Sequence, residues 1–416
     1  MDRKEEYLKL RNIDVFPAEL EGQKVFCFRD PMNLAGKILF LPYPAFFIAR
    51  LFDGQHSIVD IQAEFMRHFG RLLYREDVER LAHQLDEHYF LESERFRDRQ
   101  KKLKEDFAKS PLRFMALAGE SYEKDPKKLE EVIAAFYEFP AGAGRSVLPL
   151  GKGKRVIGAV APHIDYRRGG YCYAHAHRAI LETSMANVFI ILGTSHMAMK
   201  RPYALTSKDF ATPWGLVETD RSFLELLQAN LSTDFYEDEW VHKGEHSIEL
   251  QLVFQKGSWK DRPPFKIVPI LCGSFHEAIE NGQYPMELPR VQEFIEALKQ
   301  SVAQFRDRIC LVASADLAHL GLRFGDPDPP TPGSLKKLEE EDRKLLERVE
   351  HIDAEGFYEI ILREKDRRKI CGLSAIYTLL KVIEAQEGKL LKYGQSVDSQ
   401  TQSVVTFASL VLLTSV

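Results

Sequence analysis

"RVIGAVAPHIDYRRGGY", residues 155–171, decides how the rest of the chain is read. Val156 to Ala161 form an apolar run without polar alternation, the pattern of a strand buried on both faces. Pro162 stops the run, and His163 follows at once. Asp165, two arginines and a glycine pair that reads as flexible come next. The same arrangement recurs twice: His196 follows "NVFIILGTS" (187–195), and Asp316 and His319 follow "ICLVASA" (309–315). "FKIVPILCG" (265–273) and "VVTFASLVLL" (404–413) are two further apolar runs. Helical stretches such as "RSFLELLQANL" (221–231), "ELPRVQEFIEALKQSVAQF" (287–305) and "LSAIYTLLKVIEA" (373–385) separate the runs. This alternation predicts an α/β fold, a central mostly parallel or mixed sheet with helices on both sides.

In open sheets of this class, sites are built just outside the carboxyl ends of the strands. One histidine there is most often a hydrogen-bonded structural residue. Three strands that each deliver imidazole or carboxylate to that edge favour a site instead. Two helix starts add to the set. "GEHSIELQL" (244–252) brings Glu245, His246 and Glu249, and "RKICGLSAIYTLL" (368–380) brings Cys371 just ahead of a helix. A helix N-terminus favours an anionic neighbour, so the thiolate of Cys371 is expected. Imidazole with thiolate suits iron(II), zinc or copper(I) rather than magnesium or calcium. With no HExxH and no CxxC, spacing alone assigns no ligand set.

The 416 residues suggest two or three domains, and a net charge of −5 points to neither nucleic acid nor an anionic membrane. No apolar run approaches the roughly 20 residues that span a bilayer. The charged start "MDRKEEYLKLRN" has no apolar signal core, so a cytoplasmic location is expected. Five scattered cysteines, an odd number, argue against a disulfide framework. Cys172, Cys272 and Cys310 read as core. His175 and His177 stand at i and i+2, off a common helix face, and read as packing or surface groups. Ser195 lies outside any GxSxG elbow, which disfavours a hydrolase triad.

Residues 1–105 read as a small α+β module. "VFCFRDP" (25–31) and "KILFLP" (37–42) look like strands, followed by three helical segments up to "REDVERLAHQLDEHYF" (75–90). This is a winged-helix-like pattern, but its third helix carries Glu76, Asp77, Glu79, Asp86 and Glu87 and would repel a phosphate backbone. "LFDGQHSIVDIQAEF" (51–65) and the ending "YFLES" (89–93) resemble the PqqD-like domains that recognise peptides. Residues 106–152 read as a helical linker, and the α/β domain is expected over 153–416.

Six motifs then occur in an order resembling the Memo family: "APHIDYRRGGY" (161–171), "ILGTSH" (191–196), "FATPWGLVETD" (210–220), "EHSIELQL" (245–252), "SADLAHLG" (314–321) and "CGLSAI" (371–376). With an N-terminal extension, the chain looks like AmmeMemoRadiSam system protein B. The resemblance implies a fold like that of the LigB-type class III extradiol dioxygenases. It implies a pocket with His163, His196 and Cys371 as metal ligands, and with Asp316, His319 and His246 as catalytic neighbours. It implies one metal ion, iron(II) first and copper(I) or zinc as alternatives. The function implied is redox or oxygen handling by a dioxygenase-like oxidoreductase acting on a peptide or protein, alongside a radical SAM enzyme and an AMMECR-type protein. The alternatives are a non-catalytic metal- or peptide-binding adaptor and a metal-dependent hydrolase. The chain departs from the family where many members read "APHAGY", with Asp165, Arg167 and Arg168 in place of small or neutral residues. A surface pairing among these charges is expected. "TSH" stands where "PNH" or "PSH" is commoner.

Overall fold

A computed structural model describes residues 7–30, 34–138, 142–144, 150–151, 153–260, 262–305 and 308–416. The chain divides into two compact units, Met1–Lys109 and Ser110–Val416.

The first unit opens with an antiparallel sheet of β1 (Asp14–Leu20), β2 (Gln23–Arg29) and β3 (Leu39–Pro42), with β2 in the middle. Four helices follow: α1 (Tyr43–Ala49), α2 (Ile58–Phe69), α3 (Arg75–Glu87) and α4 (Glu94–Lys109). Ser57 and Asp60 close a reciprocal capping box at the start of α2, and Gly70 ends it in the left-handed region. Phe28, Phe47, Ile61, Val78, Leu85 and Phe90 fill this unit's own core.

In the second unit come β4 (Leu112–Arg113), α5 (Pro126–Ala135), β5 (Lys154–Ala161), α6 (Tyr166–Thr183), β6 (Val188–Thr194), β7 (Tyr203–Leu205), β8 (Asp209–Thr212), β9 (Gly215–Val217), α7 (Arg221–Ala229) and α8 (His246–Ser258). They are followed by β10 (Lys266–Cys272), α9 (His276–Glu280), α10 (Pro289–Gln304), β11 (Ile309–Ser314), β12 (Asp316–Gly321), α11 (Pro332–Glu350), α12 (Ala354–Arg363), α13 (Leu373–Val382), β13 (Glu387–Asp398) and β14 (Ser403–Ser415). The central sheet runs β12-β14-β5-β11-β6-β10-β7, with β13 paired to β14. Strands β5, β11, β6 and β10 are parallel, while β7, β12, β13 and β14 are antiparallel additions. The fold class is therefore the predicted mixed α/β one. All six β11 residues and all seven of β6 are buried, because helices cover both faces.

Two expectations change. Residues 110–138 are no linker. Arg113 is sealed inside the second unit with its guanidinium on the Glu249 carboxylate, and Tyr122 donates to Glu249 at 2.6 Å. Most of "PAGAGRSVLPLGKGKR" lies outside the described residues. The glycine pair is not a flexible joint but part of α6: a Cβ on Gly170 would come within 2.5 Å of the Phe136 ring, so the glycine admits the aromatic. Asp165 caps α6 and pairs with Arg168, the surface pairing expected for these charges. Among the described residues, no helix is long and apolar enough to cross a membrane.

Candidate metal centre

Strands β5, β11 and β6 lie side by side in parallel, so their carboxyl ends share one edge, with Ala161 opposite Ser314 and Ser314 opposite Gly193. His163 stands two residues beyond β5 and His196 two beyond β6, flanking the end of β11. Helix α8 starts at the same edge and adds His246. The ligand atoms of His163, His196 and His246 all lie within 4.8 Å of one another. Ring centroids are 4.5 Å apart for His196 and His246, 5.1 Å for His163 and His196, and 5.4 Å for His163 and His246.

Each ring is held by its Nδ1. In His163, the Nδ1–H donates to the Ser314 carbonyl at 3.0 Å. That carbonyl also accepts from the Thr194 hydroxyl at 3.1 Å, which ties the ends of β5, β11 and β6 together. Nδ1 of His196 is 3.1 Å from Glu245 Oε1, and Nδ1 of His246 is 3.1 Å from the same oxygen. With Nδ1 committed, Nε2 is the nitrogen each ring would present to a metal. A carboxylate or carbonyl behind a ligating imidazole fixes its tautomer and raises its basicity.

Glu245 does several things at once. As N-cap of α8 it accepts from the backbone N–H groups of His246 and Ser247, and it also takes the backbone N–H of His196 at 2.9 Å. Burial alone would raise its pKa. The adjoining imidazoles of His196 and His246 outweigh burial and hold the carboxyl well below its ordinary value. Gln251, one helical turn and a half further on, donates its amide to the Pro162 carbonyl and the Ser314 hydroxyl and accepts from His177 Nε2 at 3.0 Å. Both residues lie in "EHSIELQL": the sequence places Glu245 at the site edge and does not single out Gln251.

Two of the three ligands expected from the sequence, His163 and His196, stand in the cluster. His246, expected as a catalytic neighbour, joins the cluster, while Cys371 lies outside it. The Cys371 sulfur is 3.3 Å from His163 Nε2 and 3.7 Å from the Asp316 carbonyl oxygen. Cys371 stands beside His163 because the turn before α13 packs on the β11–β12 junction, with the Gly372 N–H on the Asp316 carbonyl. Gly372 makes that packing feasible, since a Cβ there would stand 2.5 Å from the Ala315 Cβ. The expected thiolate is also reversed. Burial, followed by the Asp316 charge, pushes the Cys371 thiol well above its ordinary value and outweighs the helix terminus.

Asp316 and His319 lie on β12, an edge strand not read from the sequence, rather than in a loop after β11. The Asp316 carboxylate accepts the His163 backbone N–H at 2.9 Å, and its other oxygen is 3.8 Å from His163 Nε2. Burial raises the Asp316 pKa. Burial lowers His319 to about 4, so this ring is neutral near pH 7; its Nδ1–H donates to Leu317 and leaves Nε2 as an acceptor. Burial, then the two neighbouring imidazoles, lowers His163 well below its ordinary value. A neutral buried imidazole with an oriented Nε2 is the protonation state metal binding requires. Three nitrogen donors at one sheet edge thus fit a borderline metal ion, and among the described residues no all-oxygen shell for magnesium or calcium surrounds them. Cys172, Cys272 and Cys310 are buried, and His177 is a buried packing residue, as expected. Glu249 turns away from the cluster to Arg113.

The family profile described as Memo-like protein matches residues 113–411. A MEMO1 family protein of Aquifex aeolicus is 27% identical over 97% of this chain and 99% of its own. Another from Pyrococcus abyssi is 31% identical over 72% of this chain and 99% of its own. A third, from Thermus thermophilus, is 28% identical over 86% of this chain and 99% of its own.

Proposed function

This chain belongs to the Memo-like protein family, and on that premise we propose that it carries one metal ion on His163, His196 and His246 and uses it for redox or oxygen-handling chemistry. The observation that supports this reading is the convergence of three imidazoles, each held from behind through Nδ1. Iron(II) is the favoured ion, with copper(I) or zinc as alternatives. A metal held by three protein donors supplies a Lewis-acidic or redox-active centre with coordination positions left for a substrate.

The chain's own residues do the remaining work. Glu245 orients two of the rings and places a buried negative charge behind them. Asp316 fixes the backbone of His163, and His319, neutral near pH 7, keeps Nε2 as a hydrogen-bond acceptor. The Cys371 thiol, beside His163, is a further donor that becomes available once deprotonated.

The first unit, a small sheet with helices, supports a PqqD-like peptide-recognition role. It fits an AmmeMemoRadiSam-type protein working with a radical SAM enzyme and an AMMECR-type protein on a peptide substrate. The common sheet edge is also what a LigB-like fold would provide. The test is oxygen uptake by full-length protein loaded anaerobically with iron(II). The expected result is uptake that is lost in His163→Ala and His246→Ala. Tight metal loading with no uptake, whatever peptide is added, would replace this reading with that of a metal-bearing adaptor.

A further inference from the structure

A cavity of about 690 Å³ opens beside the metal centre, with His196 on its wall. Its lining divides by chemistry. Met197, Met199, Phe275 and Val291 give an apolar body. Lys200, Arg201 and Arg290 put three cations on the rim, against one lining carboxylate, Glu277. Arg290 stands in the first turn of α10, whose N-cap is Leu288, a residue with no side-chain acceptor for the helix's first N–H groups. The helix terminus therefore adds charge of the same sign as the arginine's.

Asp238 accepts the backbone N–H of both Lys200 and Arg201 at 2.8 Å, and their side chains share Glu237. Each is 2.8 Å from the Glu237 carboxylate, which does not line the cavity. Arg201 Nε is buried and without a hydrogen-bond partner among the described residues. A wall with more cation than carboxylate, next to buried apolar surface, matches a ligand with an apolar body and an anionic head. Lys200 and Arg290 are exposed and keep their water, so the buried Nε of Arg201 is where an anionic head gains most over a neutral one.

We propose that this cavity is the substrate compartment and that it takes a small organic anion, a carboxylate with an apolar or aromatic body, seated on Arg201 and Arg290 with its other end toward His196. The inference rests on the metal reading only for the position of the chemistry; the anion site is built from different residues.

Benzoate and its neutral isostere benzamide are the probes, titrated calorimetrically into full-length protein, both chelator-stripped and reloaded with iron(II). Benzoate is expected to bind both forms and benzamide neither. Arg290→Ala should weaken benzoate about tenfold, the size of one charge-assisted hydrogen bond. Glu237→Gln should tighten it by about threefold, because it frees two cations from an exposed competitor. A gain of affinity cannot come from misfolding. Equal binding of benzoate and benzamide, or indifference of benzoate to both substitutions, would overturn the proposal. That result in a protein that still binds iron would leave the metal reading standing. Loss of iron binding with benzoate binding intact would sink the metal reading alone.

Discussion

Replacing Glu245 with glutamine keeps an oxygen to cap α8 but removes the charge behind His196 and His246 and turns one acceptor into a donor. Metal affinity should fall about 10- to 100-fold, as for other partners that orient ligating imidazoles. Competition against a chelator of known affinity measures it, and an unchanged affinity would show that Glu245 is only a cap. At this scale the sequence discloses His163 and His196 because each follows a buried strand directly. It discloses His246 as a residue of the edge but not as a ligand, since that depends on where α8 starts in space. The protonation of Cys371 is not legible at all. It depends on the carboxylate and carbonyl of Asp316, 55 positions away in sequence, and on packing that only the folded chain supplies.

Among the elements, α8 and β4 form the joint that carries residues 110–138 into the second unit. Arg113 and Glu249 are each 1% exposed, and the arginine also donates to the carbonyls of His242 and Glu245. Arg113→Ala leaves a buried carboxylate without its counter-charge, which should cost about 3–5 kcal/mol in urea unfolding. The double variant Arg113→Met/Glu249→Leu should regain much of that loss. A loss below 1 kcal/mol would return this segment to the linker role expected from the sequence. The five buried strands are legible because their apolar runs are continuous. The edge strands β12 and β13 are not, because their burial is broken along their length and polar residues such as Asp316 and Lys392 interrupt them. The boundary near residue 152 reads as a linker because glycine and proline are dense there, whereas the structure divides the chain after Lys109.

For the whole molecule, buried neutral histidines set a pH dependence. Burial lowers His177 to about 4 and His242 to about 3. An unfolded histidine titrates near about 6.5, so below that pH the unfolded chain binds protons that the folded chain refuses. Stability is therefore fully present above about pH 6.5 and falls progressively as pH drops toward 4. The loss for His177 alone is about 3 kcal/mol. His177→Gln should flatten the slope of unfolding free energy in that window by about one proton. A slope identical to that of the parent chain would mean that His177 is protonated in the fold.

The central claim is that three imidazoles, from β5, β6 and α8, hold one ion. Elemental analysis of anaerobically purified full-length protein, alongside His163→Ala, His196→Ala, His246→Ala and Cys371→Ala, tests it most directly. The account expects about one ion per chain, near-complete loss in each histidine variant, and retention in Cys371→Ala. Full metal content in His246→Ala with loss in Cys371→Ala would contradict it and restore the thiolate as the third ligand.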